Sequence, residues 1–407
     1  MDTRTSRSIV AMNVPEQGHL HRMLPVVAGL CDLGVKVHFF AHESARVAIE
    51  QTRACFVDLY AGRDMYKADA VSIPGPIRCV GFAGYFGEDV IRQVLPFQPK
   101  LVIHDSFAVI GRVIALHLKI PRVNMLAGHN PNPTRILTEL NEDGPILVSE
   151  QCKTAVKYLR DRHGLSDTSP FSYFMDSGAD LNLYSEPPEF LPPNQRDPFQ
   201  PLEFFGSYWP HGSNIPDVDF FPCASDTTLD TRVYISFGTA VWRDFETEAT
   251  TVLETLATAL AVLQNVRVLI SLGGHDKPGL AASLTHRNVR VESYVNQIQI
   301  LQKTSIFITH HGLNSTHEAI YHCVPMVSCP FFADQPALAT RCQELGIAVP
   351  LRSAKGNLTV HDVHQVMARV AANDESLRAR LAEARTWEIA VIDQRPKVLN
   401  RIIAMMD

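Results

Sequence analysis

Residues 305–335 read SIFITHHGLNSTHEAIYHCVPMVSCPFFADQ. The apolar run SIFIT from Ser305 predicts a strand ending near Thr309, and Gly312 supplies a turn. A helix follows, with Ser315, Thr316 and Glu318 in its first turn, and PMVSC from Pro325 predicts the next strand. Strand, turn, helix and strand in succession are the repeating unit of a parallel α/β sheet. The free N–H groups at such a helix start attract an anion, each charge gaining roughly 0.3–1 kcal/mol. His310 stands directly before the turn and can donate to a phosphate oxygen, a bond of about 1.5–3 kcal/mol. Glu318 would repel a phosphate, so its carboxylate suits the hydroxyls of a ribose, as the acidic residue of dinucleotide folds does. The plain alternative is a capping box from Ser315 to Glu318 with nothing bound.

Working outward, the same alternation fills the chain. In the first half the predicted strands start at Ser8 (SIVAMN), Val35 (VKVHFF), Leu101 (LVIH), Arg122 (RVNML) and Asp180 (DLNLY). Helical periodicity covers 19–33, 88–95, 107–118 and 151–162. Runs such as LVIH show no alternation, as expected of parallel strands covered on both faces. From Phe205 to Asp230 the pattern breaks into a stretch rich in Pro, Gly, Ser and Asp, which reads as a linker. A second series of strands then starts at Val233, Arg267, Val289, Ser305 and Pro325, and the last ~50 residues read as helix. The fold class is α/β with two Rossmann-like domains. Ligands of such sheets sit beyond the carboxyl ends of the strands.

With 407 residues, of which 46% are hydrophobic and 20% charged, the chain has apolar mass enough for two cores. A net charge of -6 argues against a nucleic-acid binder, which needs a basic face. No stretch approaches the ~20 apolar residues of a membrane span, and the N-terminal apolar run is too short for a signal peptide, so the expected location is cytoplasmic. The eight cysteines are scattered without a CxxC pair and read as small buried hydrophobes.

The stretch from His310 to Gln335 resembles the donor signature of family 1 UDP-dependent glycosyltransferases, in the branch of macrolide and phenolic glucosyltransferases. The matching residues are His310, Gly312, Asn314, Ser315, Thr316 and Glu318, then Val324-Pro325, then Asp334-Gln335. The resemblance implies a GT-B architecture, two Rossmann-like domains facing across a cleft. The domains would be 1–207 for the acceptor and 231–385 for the donor, with a linker at 208–230 and a helical tail at 386–407 that can cross back. It further implies that His310, Asn314 and Ser315 hold a diphosphate, Glu318 the ribose, and Asp334 with Gln335 the sugar. YVNQIQIL from Tyr294 is similar to the family's uracil-binding segment. There Tyr294 would stack on the base beside Val295 and Gln297, although Tyr stands for the usual Trp and Asn296 for the usual Pro. Gly238-Thr239 matches the glycine–hydroxyl turn in which Thr239 would touch the β-phosphate.

In the first half, Gly18-His19 follows the first strand and Asp105 ends the strand from Leu101. The family keeps its general base and the Asp that orients it at such positions. A neutral His takes the proton of a hydroxyl while Asp on its other nitrogen fixes the tautomer; a positioned base contributes about 10²–10⁴ in rate. His19 and His21 form a His-x-His pair without a third ligand nearby, which argues against a metal. Asp217-Val218-Asp219 matches the Asp-x-Asp motif of metal-dependent transferases but sits in the linker. The expected chemistry is metal-independent and needs no cofactor: an inverting transfer of a hexose, glucose first, from a UDP-sugar to a hydroxyl of a small apolar phenolic, flavonoid or macrolide acceptor. A TDP-sugar donor is the alternative, and a non-transferring epimerase or binding protein is the rival class. Residues 60–87 and 127–176 read as irregular loops, with Phe82, Tyr85, Phe86 and Phe174 as candidates for lining an acceptor pocket.

Overall fold

The computed structural model describes residues 7–143, 145–176, 178–210, 220–221, 231–351 and 356–407. The chain divides into two compact units, Met1–Ser207 with Val391–Asp407, and Tyr208–Ala390. Much of the expected linker, including Asp217 and Asp219, lies outside the described residues.

The first unit holds seven parallel strands: β1 (Ser8–Met12), β2 (Lys36–Ala41), β3 (Cys55–Asp58), β4 (Leu101–Asp105), β5 (Arg122–Met125), β6 (Leu181–Tyr184) and β7 (Leu202–Phe204). Their order across the sheet is β3-β2-β1-β4-β5-β6-β7. The second unit holds β8 (Thr231–Ser236), β9 (Val266–Ser271), β10 (Val289–Glu292), β11 (Ile306–Thr309), β12 (Met326–Ser328) and β13 (Ala348–Pro350), ordered β10-β9-β8-β11-β12-β13. Each sheet therefore reverses direction once, between β1 and β4 and between β8 and β11. The loops leaving those four strands diverge to opposite faces and open the crevice where doubly wound sheets take ligands. Register makes this concrete: Met12 pairs with His104, and Ser236 with Thr309. The residues just beyond each pair emerge side by side.

Central strands are buried along their whole length, as β1, β4 and β11 show. That is why they read as unbroken apolar runs. Each unit packs helices on its sheet around its own core, Val10, Val102 and Val113 in the first and Ile235, Leu256 and Ile308 in the second.

Two expectations need correction. Residues 60–87 and 127–176 are not mainly irregular: they contain the helices Met65–Ala68, Pro133–Asp143 and Glu150–His163 and the first half of Arg78–Val94. Within the last of these, Gly84 lets the helix close on Ala155, where a Cβ would come within 2.5 Å of the Ala155 Cβ. The start of the helix after β11 also differs from the expected one, which put Glu318 in the first turn, and the alternative of a capping box from Ser315 is not formed. The helix runs Leu313–Tyr321 with Gly312 as its N-cap, so Ser315 is its third residue and Glu318 lies a turn inside.

Candidate functional site

In the first unit the loop after β1 leads into the helix Gln17–Asp32, which carries His19 in its first turn and Arg22 one turn later on the same face. Both reach Asp105 at the end of β4. His19 Nδ1 lies 2.9 Å from both carboxylate oxygens, and Arg22 Nη2 donates to Oδ2 at 3.1 Å. The Phe107 amide donates to Oδ1 at 2.8 Å, and Arg22 Nη1 is anchored on the Leu126 carbonyl at 3.2 Å. Asp105 is 1% exposed. Burial alone would raise its pKa, but His19, Arg22 and the Phe107 amide together outweigh this and hold the carboxyl below the usual range. The His19 ring also leans on Phe107, with centroids 4.6 Å apart. With Nδ1 turned to Asp105, the imidazole presents Nε2 as its basic nitrogen.

Behind this pair stands a different histidine. His104 is buried between the Asp105 carbonyl, 3.0 Å from Nδ1, and Arg122, 3.3 Å from Nε2. Burial and the Arg122 charge push its pKa down to about 4, so it is neutral and structural. Arg122 is in turn paired with the buried Asp176.

In the second unit the loops after β8 and β11 meet. His310 follows β11, and its imidazole lies against Gly238 and Gly312. A Cβ at Gly238 would stand 2.7 Å from its Nε2, and one at Gly312 would overlap the ring. Gly238 has φ +68°, so this turn needs glycine twice over. Burial pushes His310 down to about 4, which makes it a neutral donor. His311, with φ +59°, is a buried brace, its ring between Thr316 Oγ1 at 3.2 Å and Ser328 Oγ at 2.8 Å. Thr239 is exposed at the same edge and donates its hydroxyl proton to the Gly273 carbonyl at 3.1 Å, leaving its oxygen as an acceptor.

Gln297 joins the elements. It accepts from the Tyr234 hydroxyl at 3.2 Å and donates to Ser315 Oγ at 3.0 Å and Glu318 Oε2 at 2.6 Å. Burial pushes the Glu318 carboxyl up to about 7, although Gln297 and His317 pull it down. Tyr294 is 43% exposed, as a stacking ring must be, while Val295 is buried. Asn296, in place of the family's proline, caps the helix Gln297–Leu301 by accepting from the Gln299 amide. Asp334 is the N-cap residue of the helix Gln335–Glu344. Gln335 Oε1 accepts from the Phe331 and Phe332 amides at 2.9 and 3.3 Å, which leaves its Nε2 as the group able to face a ligand. Asn314 is the second residue of its helix.

The structure thus brings His19 to Asp105, and Thr239, Gln297, His310, Gly312, Ser315 and Glu318 to the β8–β11 edge. Of the aromatic acceptor candidates, Phe82, Phe86 and Phe174 are buried in the core of the first unit, and Tyr85 is exposed. Sequence reasoning missed Arg22. The signal was available: a charge one turn after His19, at the head of the otherwise apolar run MLPVVAGL. It also missed the buried pair of His129 with Glu186, 2.8 Å apart, whose partners are too distant in sequence to be matched.

The family described as UDP-glucoronosyl and UDP-glucosyl transferase matches residues 229–381. The Bacillus subtilis (strain 168) protein YdhE, called an uncharacterized UDP-glucosyltransferase, is 24% identical over 381 residues, 91% of each chain. The NDP-glycosyltransferase YjiC of the same strain is 24% identical over 388 residues, 91% of this chain and 90% of that one. Among solved structures, the glycotransferase of kitacinnamycin superposes with a TM-score of 0.76 at 19% identity, over 98% of this chain and 99% of the other. Residues 229–381 thus match the UDP-glucoronosyl and UDP-glucosyl transferase family, the chain is similar over nearly its full length to UDP- and NDP-glycosyltransferases, and it shares the two-domain α/β fold of the solved glycosyltransferases.

Proposed function

We propose that the protein moves a hexose, glucose first, from a UDP-sugar to a hydroxyl of a small apolar acceptor, with inversion at the anomeric carbon. The observation that carries the reading is the clamp of Asp105 on His19 Nδ1, which leaves Nε2 as a base. His19 would take the acceptor proton as its oxygen attacks the anomeric carbon and the nucleoside diphosphate leaves. Asp105, kept ionised by Arg22 and the Phe107 amide, would stabilise the imidazolium. The leaving diphosphate would meet the N-terminus of the helix Leu313–Tyr321, with His310 and Thr239 beside it. Glu318 would accept from the ribose hydroxyls, Tyr294 stack on the base, and Asp334 with Gln335 bind the sugar. No metal is needed in this scheme, and turnover is expected to survive a chelator.

The donor base is the open part. The likeness to a UDP-glucosyltransferase favours UDP, whereas the likeness to an NDP-glycosyltransferase keeps TDP-sugars in view. Incubating the protein with UDP-glucose or a TDP-sugar and a panel of phenolic, flavonoid and macrolide acceptors, read by mass spectrometry, decides between them. The anomeric configuration of the product, read by NMR, must be β from an α-linked donor; an α-product refutes the mechanism. His19→Ala is expected to lower kcat by about 10²–10⁴ and leave UDP affinity unchanged. Unaltered turnover would remove His19 from the chemistry.

A further inference from the structure

On the helix Leu313–Tyr321, Ser315 and Glu318 turn toward Gln297, while His317 turns the other way. Its Nδ1 lies 2.5 Å from Glu388 Oε1, on the helix Asp374–Asp393, and both side chains are completely buried. Glu388 Oε2 has no hydrogen-bond partner among the described residues, so the imidazole is the group that compensates this carboxylate. A buried carboxylate so dependent on one partner favours the imidazolium form of that partner. The same helix face adds a second tie, as the Tyr321 ring stacks on Tyr208 at 3.7 Å and lies under the Arg385 guanidinium at 5.3 Å. The pair is 71 residues apart in sequence and serves none of the contacts proposed for the donor or acceptor.

We propose that His317 and Glu388 are positioning residues for the nucleotide donor: they fix the rotation of the helix that carries Ser315 and Glu318, and they set an imidazolium behind Glu318 so that its carboxylate meets the ribose ionised. This rests on the reading of Glu318 as the ribose acceptor. The other groups around Glu318 are Gln297, Tyr234, Tyr294 and Tyr208; the three tyrosines are all protonated near neutral pH, with pKa values raised further by burial. Arg385 lies over the Tyr321 ring and acts on Tyr208, not on Glu318. His317, adjacent in the helix, is thus the cation set against the carboxylate, and its charge depends on Glu388. A neutral residue at 388 leaves the imidazole neutral, and ionising Glu318 then costs more.

The test is UDP affinity by calorimetry from pH 5.5 to 9, on the full chain. In Glu388→Gln the amide oxygen still accepts from His317, so the geometry stays while the charge goes. The expected result is a shift of the affinity midpoint upward by about one pH unit, with binding at pH 7 about 5–10-fold weaker and converging on wild type at pH 9. His317→Met with Glu388→Leu replaces the pair by apolar groups of similar volume and is expected to keep thermal stability while showing the same shift. If both variants bind UDP with the wild-type pH profile, or weaken it equally at every pH, the electrostatic role is overturned. If wild type binds no nucleoside diphosphate, or Glu318→Ala binds UDP as well as wild type, the failure lies instead in the donor reading itself.

Discussion

Asp105 and Glu318 are both carboxylates at the carboxyl edge of a sheet, and their surroundings drive them in opposite directions. Burial disfavours charge at each. At Asp105 it is outweighed by His19, by the Arg22 guanidinium and by a backbone amide, so the carboxyl stays ionised. At Glu318 one amide and a neighbouring imidazole do not suffice, and the carboxyl rises to about 7. A group whose folded pKa exceeds its unfolded value binds protons more tightly when folded. Its contribution to stability is therefore full below about 4.5 and is lost as pH rises through about 7. Glu318→Gln removes this penalty. The expected outcome is a higher Tm than wild type at pH 8, worth about 1–3 kcal/mol after allowing for partial exposure, shrinking toward zero at pH 4.5. The same variant is expected to bind UDP more weakly, so calorimetry and thermal melts run in opposite senses. A site residue held at the expense of stability is what a binding role demands.

At the scale of the element, helix–helix packing in the first unit turns on glycine. Helix propensity alone says that Ala in place of Gly stabilises by up to about 1 kcal/mol. At Gly84 the added Cβ would stand 2.5 Å from the Ala155 Cβ and 2.8 Å from its Cα, which cannot move without its helix. Gly84→Ala is therefore expected to destabilise by about 1–3 kcal/mol. At Gly87 the nearest atom is 3.9 Å away, and Gly87→Ala is expected to follow propensity and stabilise. Urea denaturation of the two variants gives opposite shifts of the midpoint. This packing is also why the helix Arg78–Val94 was half hidden in the sequence: its glycines mark a close approach, and a single sequence shows no partner. The strands tell a parallel story. Ten were legible as apolar runs. The three that were not, β3, β7 and β13, are short and lie at sheet edges, where burial is partial and the apolar signal fades. The candidate site was legible wherever a motif is local, as at 310–335 and Gly18-His19. Arg22, His129–Glu186 and His317–Glu388 were not, because each owes its place to a partner from 57 to 83 residues away.

For the whole molecule, the chain's path matters more than its length. The final segment Val391–Asp407 belongs to the first unit although it follows the second in sequence. Its attachment is specific. Arg395 donates to the Phe205 and Gly206 carbonyls at 2.9 and 3.0 Å, and Leu399 sits against Gly29, where a Cβ would meet its Cδ1 at 2.5 Å. Leu399 is buried, and its truncation to Ala leaves a void over the helix Gln17–Asp32, the helix that carries His19. The expected loss is about 2–5 kcal/mol, felt by the first unit. The distribution of tryptophan makes the location readable, because Trp209, Trp242 and Trp387 all fall in the second unit. In Leu399→Ala, far-UV circular dichroism is expected to register an earlier urea transition for part of the signal, while the tryptophan fluorescence midpoint moves less. Since the void lies against the helix that carries His19, though at Gly29, ten residues along from that side chain, kcat is expected to fall, while UDP affinity, which the proposed function assigns to residues of the second unit, holds. Equal shifts of both probes would mean that the two units unfold as one cooperative body rather than as the two cores the sequence composition allowed.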